Sequence, residues 1–86
     1  MAYTIQYKPV ASRQIAKLSK NIQARLKPKI KVLANNPRPH GAIKLQGYEN
    51  RYRIRVGDYR IIYEIWDRVL VIVIAEVGHR SDVYGS

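Results

Sequence analysis

Cysteine is absent from this 86-residue chain, so no disulfide staples the fold and no thiolate serves as nucleophile or metal ligand. His40 and His79 are the only histidines, too few and too isolated for a structural zinc site, and no metal or other cofactor is expected. Long apolar runs are also missing. The longest, Val69 to Ala75, falls far short of the roughly 20 residues that cross a bilayer, so no membrane partner is expected. With five glycines and four prolines there is no low-complexity tract or linker, and residues 1–86 read as a single domain with one modest core. The start, Met1 to Val10, alternates polar and apolar residues where a signal peptide would carry a basic region and an apolar block. A cytoplasmic location is the expectation.

The least evenly distributed absence is that of acid. Residues 1–48 contain no Asp or Glu but ten of the sixteen Lys and Arg; the remainder holds six basic and six acidic residues. The whole net charge of +10 therefore belongs to the first half. Such a field attracts polyanions, nucleic acid above all, because phosphate neutralisation releases counterions. A lysine-rich surface kept for solubility, or one matched to an acidic protein, is the alternative.

Tyr3, Ile5 and Tyr7 alternate with polar residues as in a half-buried strand that ends at Pro9. The spacing then becomes helical through Ala11, Ile15 and Leu18, and again through Ile22, Leu26, Ile30 and Leu33, which predicts two helices with Ser19 as the cap between them. Pro28 falls inside the second helix and predicts a kink; Asn35 to Pro39 end it. His40 belongs to the following loop, and Ile43 to Leu45 form a short strand. Tyr52, Ile54 and Val56 alternate with arginines, Gly57 and Asp58 make a two-residue hairpin turn, and Tyr59, Ile61, Tyr63 and Ile65 return. Asp67 and Arg68 make a second tight turn before the nearly unbroken apolar strand Val69 to Val77, which reads as covered on both faces. The fold class is α+β: an antiparallel sheet with two N-terminal helices packed on one side, in the order β-α-α-β-β-β.

A two-residue turn at Gly57 and Asp58 pairs Arg55 with Arg60, Ile54 with Ile61 and Arg53 with Ile62. Like charges directly opposite destabilise a sheet, and local rules are broken most often where function requires it. Counting on through Asp67 and Arg68 pairs Arg60 with the small Ala75 and places Val77 and His79 on the same face. Arg53, Arg55, Arg60 and His79 thus form one cluster, while Arg51 opposite Glu64 reads as an ordinary salt bridge. Arginine forks grip phosphate oxygens and stabilise charge that grows on them. RNA brings its own 2′-hydroxyl nucleophile, so a metal-free site needs only to position it and move protons, a role that suits His79. Tyr84 is a candidate to stack on a base. The remaining tyrosines fall mostly at core-facing strand positions. A purely binding, non-catalytic RNA or ribosome module satisfies the same features.

The segments YRIRVGDYRIIYEI, Tyr52 to Ile65, and VGHRSDVY, Val77 to Tyr84, resemble the signature stretches of the RelE family of bacterial and archaeal toxins, within the RelE/ParE superfamily. The opening strand, the helical pair closing on LANNP and the KLQG segment at Lys44 to Gly47 occur in the family's order, so the resemblance spans nearly the whole chain. It implies a metal-independent mRNA interferase of microbial-ribonuclease-like fold, an endoribonuclease acting in the ribosomal A site. It further implies a RelB-like antitoxin, with operator DNA bound only by the toxin–antitoxin pair. Arg53 and Arg55 match positions that are lysine in studied relatives, one of them the general base. Arg60 matches the arginine that stabilises the transition state, Arg80 an arginine linked to leaving-group protonation, and Tyr84 the substrate-stacking tyrosine. Arginine is a poor base, so His79 is assigned part of the proton transfer. Lys17, Lys20, Lys27, Lys31 and Lys44 are candidates for ribosomal RNA contacts. A ParE-type gyrase inhibitor is the competing family reading.

Overall fold

The computed structural model describes residues 2–81. The elements are β1 (Thr4–Tyr7), α1 (Pro9–Ala16), α2 (Lys20–Asn35), β2 (Ile43–Lys44), β3 (Arg51–Val56), β4 (Tyr59–Trp66) and β5 (Val71–His79). Pro9 opens α1, where its missing N–H would have had no helical partner anyway. The Ser19 side chain accepts the Ile22 N–H at 3.3 Å and caps α2 as its position predicts. Pro28 is accommodated within a helix that runs unbroken from Lys20 to Asn35. Its ring lies on the exposed side, and the buried stripe of Leu26, Ile30 and Leu33 anchors the helix on either side of it.

The five strands lie in the order β1-β5-β4-β3-β2. All neighbours are antiparallel except β1 and β5, which run parallel, so the sheet is mixed. The parallel edge follows from connectivity, because the chain leaves β1 through two helices and a meander before β5 returns beside it. Both helices pack on one face, as expected. Ala11, Leu26, Ile30 and Leu33 meet Ile54, Ile61, Tyr63, Ile65, Ile72, Ile74 and Val77 in the main core. Tyr63, fully buried, donates its hydroxyl hydrogen to the Pro37 carbonyl at 2.7 Å and ties the loop after α2 to the sheet. Among the described residues no helix is long and apolar enough to cross a membrane.

Two departures from the expected geometry lie in β4 and β5. The connection is a four-residue turn, Asp67 to Leu70, rather than the two-residue turn expected at Asp67 and Arg68. Leu70 takes a left-handed φ of 55°, and Val69, expected inside the strand, is 66% exposed. The ladder also carries a bulge between Ile62 and Tyr63: Tyr63 pairs with Ile74 but Ile62 with Glu76, so Ala75 is the extra residue. The Val77 N–H, on the side of β5 that β1 no longer reaches, is taken by the Gln14 side chain of α1 at 2.7 Å.

On the face away from the helices, Glu64 is 9% exposed. Its carboxylate accepts from Lys8 at 2.9 Å, Arg51 at 3.3 Å and the Trp66 indole N–H at 3.1 Å. Burial alone would raise its pKa, but the bonds from Lys8 and Trp66 and the charges of Lys8 and Arg51 outweigh burial and hold it below the ordinary carboxylate value. A depressed carboxylate stabilises the fold above its unfolded pKa and loses that contribution as pH falls through its folded value. Glu64→Gln is therefore expected to destabilise by about 2 kcal/mol at neutral pH, with the deficit closing under acid conditions. Thermal melts of both proteins across that range check it; a constant difference between them would contradict the assignment.

Candidate active site

The β3–β4 hairpin aligns as its turn predicts: Arg51 with Glu64, Arg53 with Ile62, Ile54 with Ile61, Arg55 with Arg60 and Val56 with Tyr59. Alternation sends Tyr52, Ile54 and Val56 toward the helices and Arg51, Arg53 and Arg55 to the other face, joined there by Arg60. Gly57 makes the turn with φ 61°, and the Arg25 guanidinium of α2 occupies the place its Cβ would take. A side chain at position 57 would thus meet both backbone strain and Arg25. Arg25 is a cation that periodicity could not bring here, since its approach depends on where α2 packs.

Arg53 and Arg60 are half-buried and Arg55 exposed. None of these, nor Arg80, forms an ion pair with a carboxylate among the described residues. Desolvation, then the charges of Arg55 and Arg60, lower the pKa of Arg53. The Nε atom of Arg60 is buried with no hydrogen-bond partner among the described residues. That N–H has given up its water without gaining a partner, so it is left to be satisfied by an anion placed beside it. Arg80 joins the cluster through its backbone, whose N–H donates to the Asp58 carbonyl at 2.8 Å. Arg55, Gly57, Asp58, Tyr59, Arg60 and Arg80 together line a small polar cavity at this end of the sheet.

The register of β5 corrects two expectations. Arg60 pairs with Gly78, not Ala75, although the anticipated room above Arg60 is present because glycine has no side chain. His79 pairs with Tyr59 and meets its ring edge-on, centroids 5.5 Å apart, on the helix side of the sheet. It is not a member of the arginine face. The turn's two extra residues preserve parity, but the bulge adds one more, and an odd shift exchanges the faces of everything beyond it. The His79 Nδ1 accepts the Ser81 N–H at 3.3 Å and lies 3.0 Å from the Ser81 hydroxyl, so the ring braces the turn that carries Arg80. The same parity brings forward a residue that the sequence reading did not single out. Half-buried Glu76, opposite Ile62, lies on the arginine face, one same-face position along β5 from Gly78.

Lys17, Lys20, Lys27 and Lys31 are exposed on the helical layer, across the sheet from the arginines, and Lys44 is exposed on the edge strand β2. His40 is exposed in the loop before β2. Tyr84 lies outside the described residues. No group of three or more metal-ligating side chains is present among the described residues.

The sequence model of the ParE toxin of type II toxin–antitoxin systems matches residues 5–84. A putative RelE-like toxin protein of Escherichia coli is 35% identical over 98% of this chain and 92% of its own length. The mRNA interferase toxin RelE of the same species is 32% identical over the whole of this chain and 94% of its own. Among solved structures, the isolated E. coli RelE toxin superposes with a TM-score of 0.81 at 28% identity, covering 91% of this chain and 84% of that one. The RelE of the archaeal RelE–RelB complex from Pyrococcus horikoshii gives 0.82 at 28% identity, covering 96% and 100%. Matching in family model, in curated relatives along their length and in fold, the chain belongs to the RelE-type toxins of type II toxin–antitoxin systems.

Proposed function

We propose that this toxin is an endoribonuclease that cleaves messenger RNA in the ribosomal A site and is held inactive by a RelB-type antitoxin. The observation that carries the reading is the apposition of Arg55 and Arg60, with Arg53 beside them, on the sheet face that the helices leave open. Repulsion between facing guanidinium groups is relieved when a phosphate lies between them. The name mRNA interferase, borne by a relative, supports the activity, and the intact E. coli RelBE complex supports the antitoxin.

Arg55, Arg60 and Arg80 bind the non-bridging oxygens of the scissile phosphate and stabilise the charge of the phosphorane. The ribose 2′-oxygen attacks phosphorus as its proton passes to a base, and the P–O5′ bond breaks; the departing 5′-oxygen accepts a hydrogen bond from Arg80, which steadies its charge, and takes its proton from water. The products are a 2′,3′-cyclic phosphate and a 5′-hydroxyl. Arg53 is shifted in the direction a base needs, yet arginine holds its proton far above neutrality. His79 is on the wrong face. Of the two carboxylates on the arginine face, Glu64 is engaged by Lys8 and Arg51, and Glu76 is the base in this scheme. Stacking of the substrate by Tyr84 rests on the family resemblance. The lysines of the helical layer contact ribosomal RNA, which makes binding fall steeply with salt.

Adding the purified protein to translating ribosomes and mapping message ends tests the reading. Cuts in register with the A-site codon, carrying 2′,3′-cyclic phosphate or 3′-phosphate ends, are expected. Intact messages, together with inhibition of gyrase supercoiling, would replace it with the ParE-type reading that the family model's own description raises.

A further inference from the structure

The end of the sheet opposite the arginine hairpin carries exposed aromatic surface that the core does not use. Trp66, which is 47% exposed, and Tyr48, which is 45% exposed, line one open cavity at the end of β4, with Val69 and the oppositely charged Glu49 and Arg68 on its walls. Neither ring is loosely placed. The Trp66 indole N–H is bonded to Glu64, and Arg51, bonded to the same carboxylate, stacks over the Tyr48 ring at 4.8 Å. One buried carboxylate, paired with both Lys8 and Arg51, thus holds two exposed aromatic side chains in place.

We propose that Trp66 and Tyr48 form a base-stacking subsite for single-stranded RNA. The inference rests on the ribonuclease reading and extends its site along the sheet. Register supplies the continuity: Arg60, Ile62, Glu64 and Trp66 follow one another on a single face of β4, beside Arg55, Arg53 and Arg51 of β3. At about 3.3 Å per residue, Arg60 and Trp66 are roughly 20 Å apart, a span for a few nucleotides whose phosphates lie at the hairpin and whose flanking base lies on the rings. The chemistry also suits this division. The arginine end grips phosphate, whereas the aromatic end carries only a small net charge, because Glu64 offsets one of the two cations Lys8 and Arg51, and Asp67 pairs with Arg38 at 2.9 Å. Aromatic surface binds bases through their faces without sequence preference. Rings already immobilised lose little freedom when a base lands on them.

Trp66 is the only tryptophan in the chain, so its fluorescence reports this subsite alone. The probes are a 2′-O-methyl hexaribonucleotide, which cannot be cleaved, the matching dinucleotide, and a base-free polyphosphate. The hexamer is expected to quench Trp66 with the same affinity that anisotropy of a labelled hexamer reports. The dinucleotide and the polyphosphate are expected to leave fluorescence nearly unchanged. Trp66→Leu and Tyr48→Leu, each shown folded by circular dichroism, are expected to bind the hexamer about tenfold more weakly, and Trp66→Phe to keep most of the affinity. Hexamer binding without quenching, equal quenching by polyphosphate, undiminished affinity of the leucine variants, or quenching by a RelB-type antitoxin but not by RNA would each overturn the subsite. Ribosomal cleavage without quenching removes the subsite and leaves the ribonuclease reading; quenching without cleavage does the reverse.

Discussion

Arg60→Ala is expected to lower the single-turnover rate of message cleavage on programmed ribosomes by roughly 100- to 1,000-fold, the loss that follows removal of one preorganised donor to a charged transition state. Two features single Arg60 out. It faces Arg55 across the hairpin, and its Nε is buried without a partner among the described residues. A group retained against repulsion and desolvation contributes little to the fold, so the variant is expected to melt no lower than the parent. That combination of lost rate and retained stability separates a phosphate-stabilising arginine from a structural one. Arg60→Lys should recover only part of the rate, because an ammonium keeps the charge but not the planar fork. Cleavage by Arg60→Ala within a few-fold of the parent would sink the assignment, as would a large fall in melting temperature.

Glu76→Gln is the second substitution with a large expected effect. If Glu76 accepts the 2′-hydroxyl proton, the nearly isosteric amide removes the base while preserving shape, and the rate should drop by on the order of 100-fold or more. His79→Asn supplies the contrast. Asparagine offers an acceptor near the position of Nδ1, so the brace to Ser81 survives, and activity is expected within a few-fold of the parent. If Glu76→Gln keeps its rate and His79→Asn loses it, proton transfer belongs to the histidine after all, and the face-by-face account of the site is wrong.

The arginine pairing of the candidate site is legible in the sequence because it depends on a local count. Gly57 and Asp58 make a two-residue turn, and from there the partners of Arg53, Arg55 and Arg60 follow by subtraction. The helices were legible for a related reason. The stripe Leu26, Ile30 and Leu33 repeats at helical spacing and is buried as that spacing requires. The Ser19 cap is likewise a short-range feature. Arg25 at Gly57 and the bracing of Trp66 and Tyr48 by Glu64 were not legible. Each joins side chains whose meeting depends on how separate elements pack or twist.

By itself the sequence determined an α+β fold, a cationic first half, and a hairpin that presses arginines together on one face. These are properties of composition and of contacts between near neighbours. Only the tertiary structure decided the parallel docking of β1 on β5 and the face on which each residue of β5 lies. The four-residue turn and the bulge at Ala75 carry no distinctive residue signal, yet together they shift the ladder by an odd number of positions. Side chains in a strand alternate with a period of two, so that odd shift moves His79 to the helix side and brings Glu76 to the arginines.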